Sequence, residues 1–208
     1  MITQRSGWWV PEVDRIALKA VLSQVRNIDV IIMPFVKNRK CCIQAGGNIG
    51  IWPKKFSELF DKVYTFEADP ENYEAMVKNL EGIPNIESKN LALGAKANKA
   101  SVVKVNPQNV GAHFATSDPN GQISMVAIDD LNIQDVSLIQ FDIEGGEYDA
   151  IMGSLNTIKK YNPTIVLEIK GFNQRYNHTT VDVFKLMFEI LNYKAVRTTG
   201  TDWVFVKE

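Results

Sequence analysis

Two spacings of apolar residues alternate along the chain. Leu18, Val21, Leu22 and Val25 recur at i, i+3, i+4 and i+7, which puts them on one helical face and predicts an amphipathic helix from about Pro11 to Val25. The spacing returns in Phe56, Leu59, Phe60 and Val63, with Pro53 suited to a first helical turn. It recurs in Tyr73, Met76, Val77 and Leu80, in Tyr148, Ile151, Met152, Leu155 and Ile158, and in Phe184, Met187, Phe188 and Leu191. Between these stripes stand "KCCIQA", "KVYTFEA", "VSLIQFDI" and "PTIVLEI", short runs of strand character. "VSLIQFDI" is almost continuously apolar, as a strand covered on both faces should be. Weaker strands are predicted at "IESKNLAL", "ASVVKVN" and "ISMVAI", and the chain ends in "YKAVRTTGTDWVFVKE", two strands about a Thr-Gly turn.

Strands alternating with helices predict an α/β fold whose parallel sheet is covered on both faces. The last two strands are joined by too few residues to be parallel, since a parallel return needs a crossover of a dozen or so. The expected architecture is therefore a doubly wound, mostly parallel sheet with an antiparallel C-terminal strand. It forms one domain over residues 1–208, with a helical arm at 1–38 and an inserted hairpin or loop at 94–130.

Composition narrows the function classes. A hydrophobic fraction of 45% and a charged fraction of 23% are those of a globular chain. The net charge of -1 gives no broad attraction to nucleic acid. No apolar stretch reaches the ~18 residues of a membrane span. "MITQRSGWWVPEVDR" lacks the apolar core of a signal peptide, so a cytoplasmic location is expected. Cys41 and Cys42 are neighbours in a strand and point to opposite faces, which makes them small core residues rather than a disulfide or a metal knuckle.

In such sheets ligands bind beyond the carboxyl ends of the strands, where strand order reverses. The first strand ends in "QAGGNIG", with Gly46, Gly47 and Gly50 around Asn48, and the second ends at Glu67, about 20 residues on. A carboxylate there can accept from two adjacent ribose hydroxyls. The dinucleotide spacing G-x-G-x-x-G is absent, which argues against a pyrophosphate ligand.

"CIQAGGNIG", "YTFEADPENYEAMVKNL", "NLALG", "AIDDL" and "IQFDIEGGEYDAIMGSL" together resemble, in order and spacing, the FkbM family of S-adenosylmethionine-dependent methyltransferases. The resemblance spans roughly Lys40 to Ile169. It implies the class I methyltransferase sheet of seven strands with the last antiparallel, and S-adenosylmethionine as cofactor. By motif, the loop Gln44 to Gly50 (Gln44, Gly46, Gly47, Asn48, Gly50) would hold the methionine portion, Glu67 the ribose, and Asn90 would lie by the adenine. Asp142 would face the transferable methyl. Gln44 departs from the family's usual aspartate and removes a negative charge near the ammonium and sulfonium. The resemblance also suggests a small hydroxylated acceptor, a sugar among them.

Several acidic and basic groups are candidates for the chemistry. Asp142 ends a strand too apolar to hold a carboxylate without a purpose, because burying an unpaired charge is expensive. Glu144 follows in the loop, and Glu147 reads as a charge in the first turn of the next helix. Glu168 ends its strand as Asp142 does, so the two could share a divalent cation, although no third ligand is evident and a metal is not favoured. His113, in the polar stretch "NPQNVGAHFATSDPNGQ", and His178 are, with Glu144, the candidate general bases. Asp129 and Asp130 read as capping or turn residues.

Overall fold

The computed structural model describes residues 1–207. The chain opens with strands β1 (Ile2–Arg5) and β2 (Trp8–Pro11), followed by α1 (Ala17–Gln24) and the short α2 (Ile28–Ile31). The predicted helix from Pro11 therefore starts later. Arg5 pairs with Trp8 across Ser6 and Gly7, both at positive φ, and this two-residue turn folds the first eleven residues into a hairpin. Asp14 takes the free backbone N–H groups of Ile16, Ala17 and Leu18 and so fixes where the helix begins.

The central run is β3 (Cys41–Ala45), α3 (Ile51–Ser57), β4 (Lys62–Phe66), α4 (Pro70–Asn79) and β5 (Ile86–Lys89). Strands β6 (Ala92–Leu93), β7 (Asn98–Val103), β8 (Phe114–Ser117) and β9 (Ile123–Val126) then form a separate four-stranded sheet. The segment expected as a hairpin or loop at 94–130 is thus most of a small sheet, with β8 the strand that the apolar pattern missed. The chain continues through β10 (Val136–Phe141), α5 (Glu147–Met152), α6 (Leu155–Tyr161), β11 (Thr164–Glu168) and α7 (Thr180–Lys185), and ends in β12 (Lys194–Thr199) and β13 (Asp202–Val206).

The large sheet has seven strands in the order β12-β13-β11-β10-β3-β4-β5. The five strands from β11 to β5 run parallel, while β13 is antiparallel to both neighbours. Period-two alternation divides its core. Cys41, Ile43, Ile139, Phe141 and Leu167 face α5, α6 and α7, whereas Cys42, Leu138, Val166 and Val204 face α2 and α3. The adjacent cysteines are buried on opposite faces and carry free thiols, as expected. Among the described residues no helix is long and apolar enough to cross a membrane.

Strand order reverses between β3 and β10, so the crevice expected of a doubly wound sheet opens at their carboxyl ends. Gln44 lies opposite Gln140 and Ala45 opposite Phe141, which brings the glycine loop and Asp142 to the same height.

Candidate active site

A cavity of about 360 Å³ lies at this end of the sheet, within the size range of small-ligand sites. The tips of β3, β4, β10 and β11 contribute Gly46, Asn48, Glu67, Asp142, Glu144 and Glu168. Leu91, Leu93, Phe114 and Met125 form an apolar wall supplied by the chain after β5 and by the small sheet.

The glycines serve packing as much as ligand access. Gly46 sits at φ +80, and a Cβ there would stand 1.8 Å from the Asp142 carbonyl oxygen. A side chain on Gly47 would strike Met76 and Thr65, and one on Gly50, at φ +95, would press on Leu80 and Met76. Gly46 and Asn48 line the cavity; Gly47 and Gly50 hold the loop against α4 instead. Asn48 adopts φ 48, a left-handed conformation that asparagine tolerates.

Gln44 is fully buried beneath the loop. Its amide donates to the carbonyls of Ala45 and Gly46 and accepts from the Thr65 hydroxyl, so it braces the turn without reaching the cavity. Asn90 has a similar place. Its side chain donates to the carbonyls of Glu67 and Ala68 at 2.8 and 3.1 Å and fixes the tip of β4. Leu91 and Ala92, its successors, are the residues that line the cavity.

Glu67 is buried and accepts from the Asn48 N–H at 2.6 Å and the Asp69 N–H at 2.7 Å. Each oxygen is engaged once, which leaves each with capacity for a donor on a ligand. Burial pushes its carboxyl up to about 7, against the two backbone donors that favour the ionised form.

Two residues on, Asp69 caps α4 by accepting from the Glu71 N–H. Its other oxygen lies 2.7 Å from His113 Nδ1 and 3.2 Å from Lys104 Nζ. Burial raises the Asp69 carboxyl, but His113, the Glu71 N–H and Lys104 outweigh it and hold it at about 2. The polar stretch brings His113 inward: its side chain is 3% exposed, and it lines the cavity with Nε2 unpartnered. An unsatisfied buried polar atom costs about 1–3 kcal/mol. Asn72 Oδ1, in the first turn of α4, is likewise buried without a partner. Asp69 before Pro70 is a recognisable capping signal at a helix start, but nothing in the sequence marks it or Asn72 as part of a site.

The second polar group stands at the β10 and β11 tips. Asp142, Glu144 and Glu168 each bring a carboxylate oxygen within 4.8 Å of the others. Glu144 is thus the third carboxylate that the sequence did not reveal. Lys170 Nζ lies 2.6 Å from Glu168 and 3.0 Å from Glu144, a resident counter-charge for the trio. Burial and the neighbouring Glu168 push the Asp142 carboxyl well above its ordinary range, and burial raises that of Glu144 despite Lys170. Glu144 is held at φ 57, and Arg175 donates to its carbonyl. Such strain in a non-glycine residue persists only where its surroundings enforce it. Oxygen ligands so arranged suit a hard cation.

Glu147 lies behind the site, accepting from the N–H groups of Ile143 and Gly145 and from Asn173. His178 is outside the cavity, stacked on Tyr148 at 3.9 Å and 3.3 Å from Asp149. Asp129 is a cap, but for α6, where it accepts from the N–H groups of Asn156 and Thr157.

Residues 44–195 match the model of the methyltransferase FkbM domain, close to three quarters of the chain. The chain belongs to the FkbM methyltransferase family. Among solved structures, methyltransferase FkbM from Methylobacillus flagellatus KT aligns with a TM-score of 0.54 at 18% identity, covering 80% of this chain. This FkbM chain spans 43% of that protein's length. The fibrillarin pre-rRNA processing protein of Methanococcus jannaschii aligns with a TM-score of 0.53 at 14% identity, over 99% of this chain and 81% of its own. Precorrin-6y C5,15-methyltransferase from Geobacter metallireducens GS-15 aligns with a TM-score of 0.50 at 10% identity, over 96% of this chain and 91% of its own. At these identities the structural likeness speaks for the fold. No curated protein sequence matches the FkbM chain.

Proposed function

We propose that this FkbM chain is an S-adenosylmethionine-dependent O-methyltransferase acting on a hydroxyl of a small molecule, with sugars among the candidate acceptors. The observation that carries the reading is one cavity with two chemically different ends. Glu67 at the β4 tip forms one end, Asp142, Glu144 and Glu168 at the β10 and β11 tips form the other, and the Gly46–Asn48 loop after β3 lies between them, with Gly46 against Asp142.

The residues present fit the cofactor. Glu67 keeps acceptor capacity for the ribose hydroxyls, the apolar wall at Leu91 and Leu93 suits an adenine, and the carboxylates of the far end suit a cationic methionine portion. When bound, the cofactor supplies a methyl group activated by its sulfonium. The FkbM residues align the acceptor and exclude water, the main requirement when the reagent is itself reactive.

The acceptor hydroxyl must give up a proton. Among the three candidate bases, Glu144 faces the cavity beside Asp142, His178 lies outside it, and His113 belongs to the Glu67 end. Glu144 is therefore the proton acceptor in this reading, with Lys170 holding its carboxylate in place. A divalent cation shared by the three carboxylates would lower the acceptor's pKa, and Lys170 competes for the same oxygens. A non-catalytic protein that keeps the S-adenosylmethionine or nucleotide pocket is the rival reading, and Gln44 in place of the family's usual aspartate is the feature that favours it. That amide points away from the cavity, so its departure from aspartate leaves the lining unchanged.

Calorimetric titration with S-adenosylhomocysteine tests the cofactor assignment. Glu67→Ala is expected to weaken binding tenfold or more, about 1.4 kcal/mol. Absence of binding by the wild type would end the methyltransferase reading. Methyl transfer to a panel of sugars, with magnesium and with chelator, then tests the acceptor class, and Glu144→Gln should abolish turnover while S-adenosylhomocysteine still binds.

A further inference from the structure

His113 is held unlike a surface histidine. The segment that carries it is tied down along its length. Gln108 accepts from the Arg15 N–H, the Val110 carbonyl from Asn72 Nδ2, and the Ala115 carbonyl from the Tyr176 hydroxyl. Gly111 lies so close to α1 that an added Cβ would stand 3.3 Å from that of Ala17. The ring is thus delivered to a fixed place, with Nδ1 on Asp69 and Nε2 buried, unpartnered and in a residue lining the cavity.

The Asp69 carboxylate can only accept, so the proton on Nδ1 is fixed and Nε2 is the free end of the ring. Lys104 Nζ reaches the same Asp69 oxygen at 3.2 Å. Asp69 donates its N–H to Glu67, so the carboxylate facing the ligand and the carboxylate orienting the histidine belong to one turn of chain. Whatever meets Nε2 is therefore next to whatever meets Glu67. A hydroxyl suits this position because it can donate to a bare Nε2 or accept from a protonated one.

We propose that His113 is a positioning and specificity residue for the cofactor: its Nε2 hydrogen-bonds one hydroxyl of the ribose while Glu67 holds the other. The assignment rests on the cofactor reading above and adds to it a second reader of the vicinal diol. Asp69 acts through His113 by fixing its tautomer. The site then rejects nucleosides lacking that hydroxyl, because a polar group buried to meet a hydroxyl is left unpaired without it.

The chain has two histidines, and His178 lies outside the cavity, which supplies an internal control. In nitrogen-15 spectra of histidine-labelled protein, S-adenosylhomocysteine should move the Nε2 resonance of His113 and leave that of His178 in place. In the wild type, 2′-deoxy and 3′-deoxy S-adenosylhomocysteine should each bind about tenfold more weakly than the parent. In His113→Phe, checked for folding by its melting temperature, one of these two penalties should fall within twofold of unity and the other persist. His113→Gln, whose amide reaches the place of Nε2, should restore both. An unmoved His113 resonance, or both penalties intact in His113→Phe, would overturn the proposal while leaving the cofactor reading standing. Failure of the wild type to bind S-adenosylhomocysteine would remove both.

Discussion

Gly46 and Asp142 meet at the carboxyl ends of β3 and β10 with no room for a single methyl group between them: a Cβ on Gly46 would lie 1.8 Å from the Asp142 carbonyl oxygen. The Asp142 N–H in turn donates to the Ala45 carbonyl at 3.1 Å, so two backbones close the floor of the cavity. Gly46→Ala combines a left-handed φ of +80 with a clash against main chain that no rotamer can relieve. The variant should lose about 3 kcal/mol or more of folding stability, read as a fall in the denaturant midpoint. A midpoint within about 0.5 kcal/mol of wild type would mean that the two strand tips separate easily.

Lys170 is the one cation in contact with both Glu144 and Glu168 among the described ion pairs, with Arg175 standing 4.0 Å from Glu144. Lys170→Met would leave three clustered carboxylates to repel one another. Removing a partner from a buried pair costs about 3–5 kcal/mol, and the 31% exposure of the Lys170 side chain lowers the expectation to about 2. Protonation relieves the repulsion, so the loss in melting temperature should be larger at pH 8 than at pH 5. Equal losses at both would show that Lys170 stabilises by packing alone.

One side chain of α4 ties the N-terminal hairpin to the glycine loop. Asn79 accepts from the Trp9 N–H and donates to the carbonyls of Trp9 and Ile49, which joins β2, α4 and the glycine loop. Lys78 lies 4.3 Å from the Trp9 ring and adds a cation–π contact. Asn79→Ala removes three hydrogen bonds at about 1 kcal/mol each, so about 3 kcal/mol is expected. Limited proteolysis should then cut between β2 and α1 faster than in the wild type. Unchanged cutting would place the hairpin's hold elsewhere.

The large sheet could be read from the chain because its signals are local and repeated. Most helices carry an apolar stripe, a single one running through α5 and α6, and β10 and β11 are mostly apolar and buried along their length because both of their faces are covered. The N-terminal hairpin was hidden behind the stripe of α1, although Ser6-Gly7 between "ITQR" and "WWVP" is a turn signal. Strand β8 is half-buried and four residues long, too weak a pattern to stand out. At the site, Glu67, Asp142 and Glu168 could be placed because strand ends fix them. Gln44 and Asn90 also sit at strand ends, yet which way an amide turns depends on neighbours distant in sequence, here Thr65 for Gln44 and the Glu67 carbonyl for Asn90. The pairing of His113 with Asp69 joins residues 44 positions apart through a sheet that the apolar pattern did not resolve.

Buried carboxyls give the fold an uncommon dependence on pH. Burial holds Glu67 and Glu147 at about 7, against an ordinary value near 4.5. Between these values the folded chain binds more protons than the unfolded chain, so stability falls as pH rises from about 4.5 to 7 and levels off above. Asp202, raised to about 6 by burial, adds in the same sense, whereas Asp69, held at about 2, acts below this window. Each of the two glutamates contributes roughly 3 kcal/mol at most. The melting temperature of the free protein should therefore be higher at pH 5 than at pH 8. A ligand whose hydroxyls donate to Glu67 favours the ionised carboxylate, so S-adenosylhomocysteine should raise the melting temperature more at pH 8 than at pH 6. Glu147→Gln should flatten the dependence without touching that ligand effect. A free protein that grows more stable from pH 5 to pH 8 would show that these carboxyls ionise in the fold as they do in water.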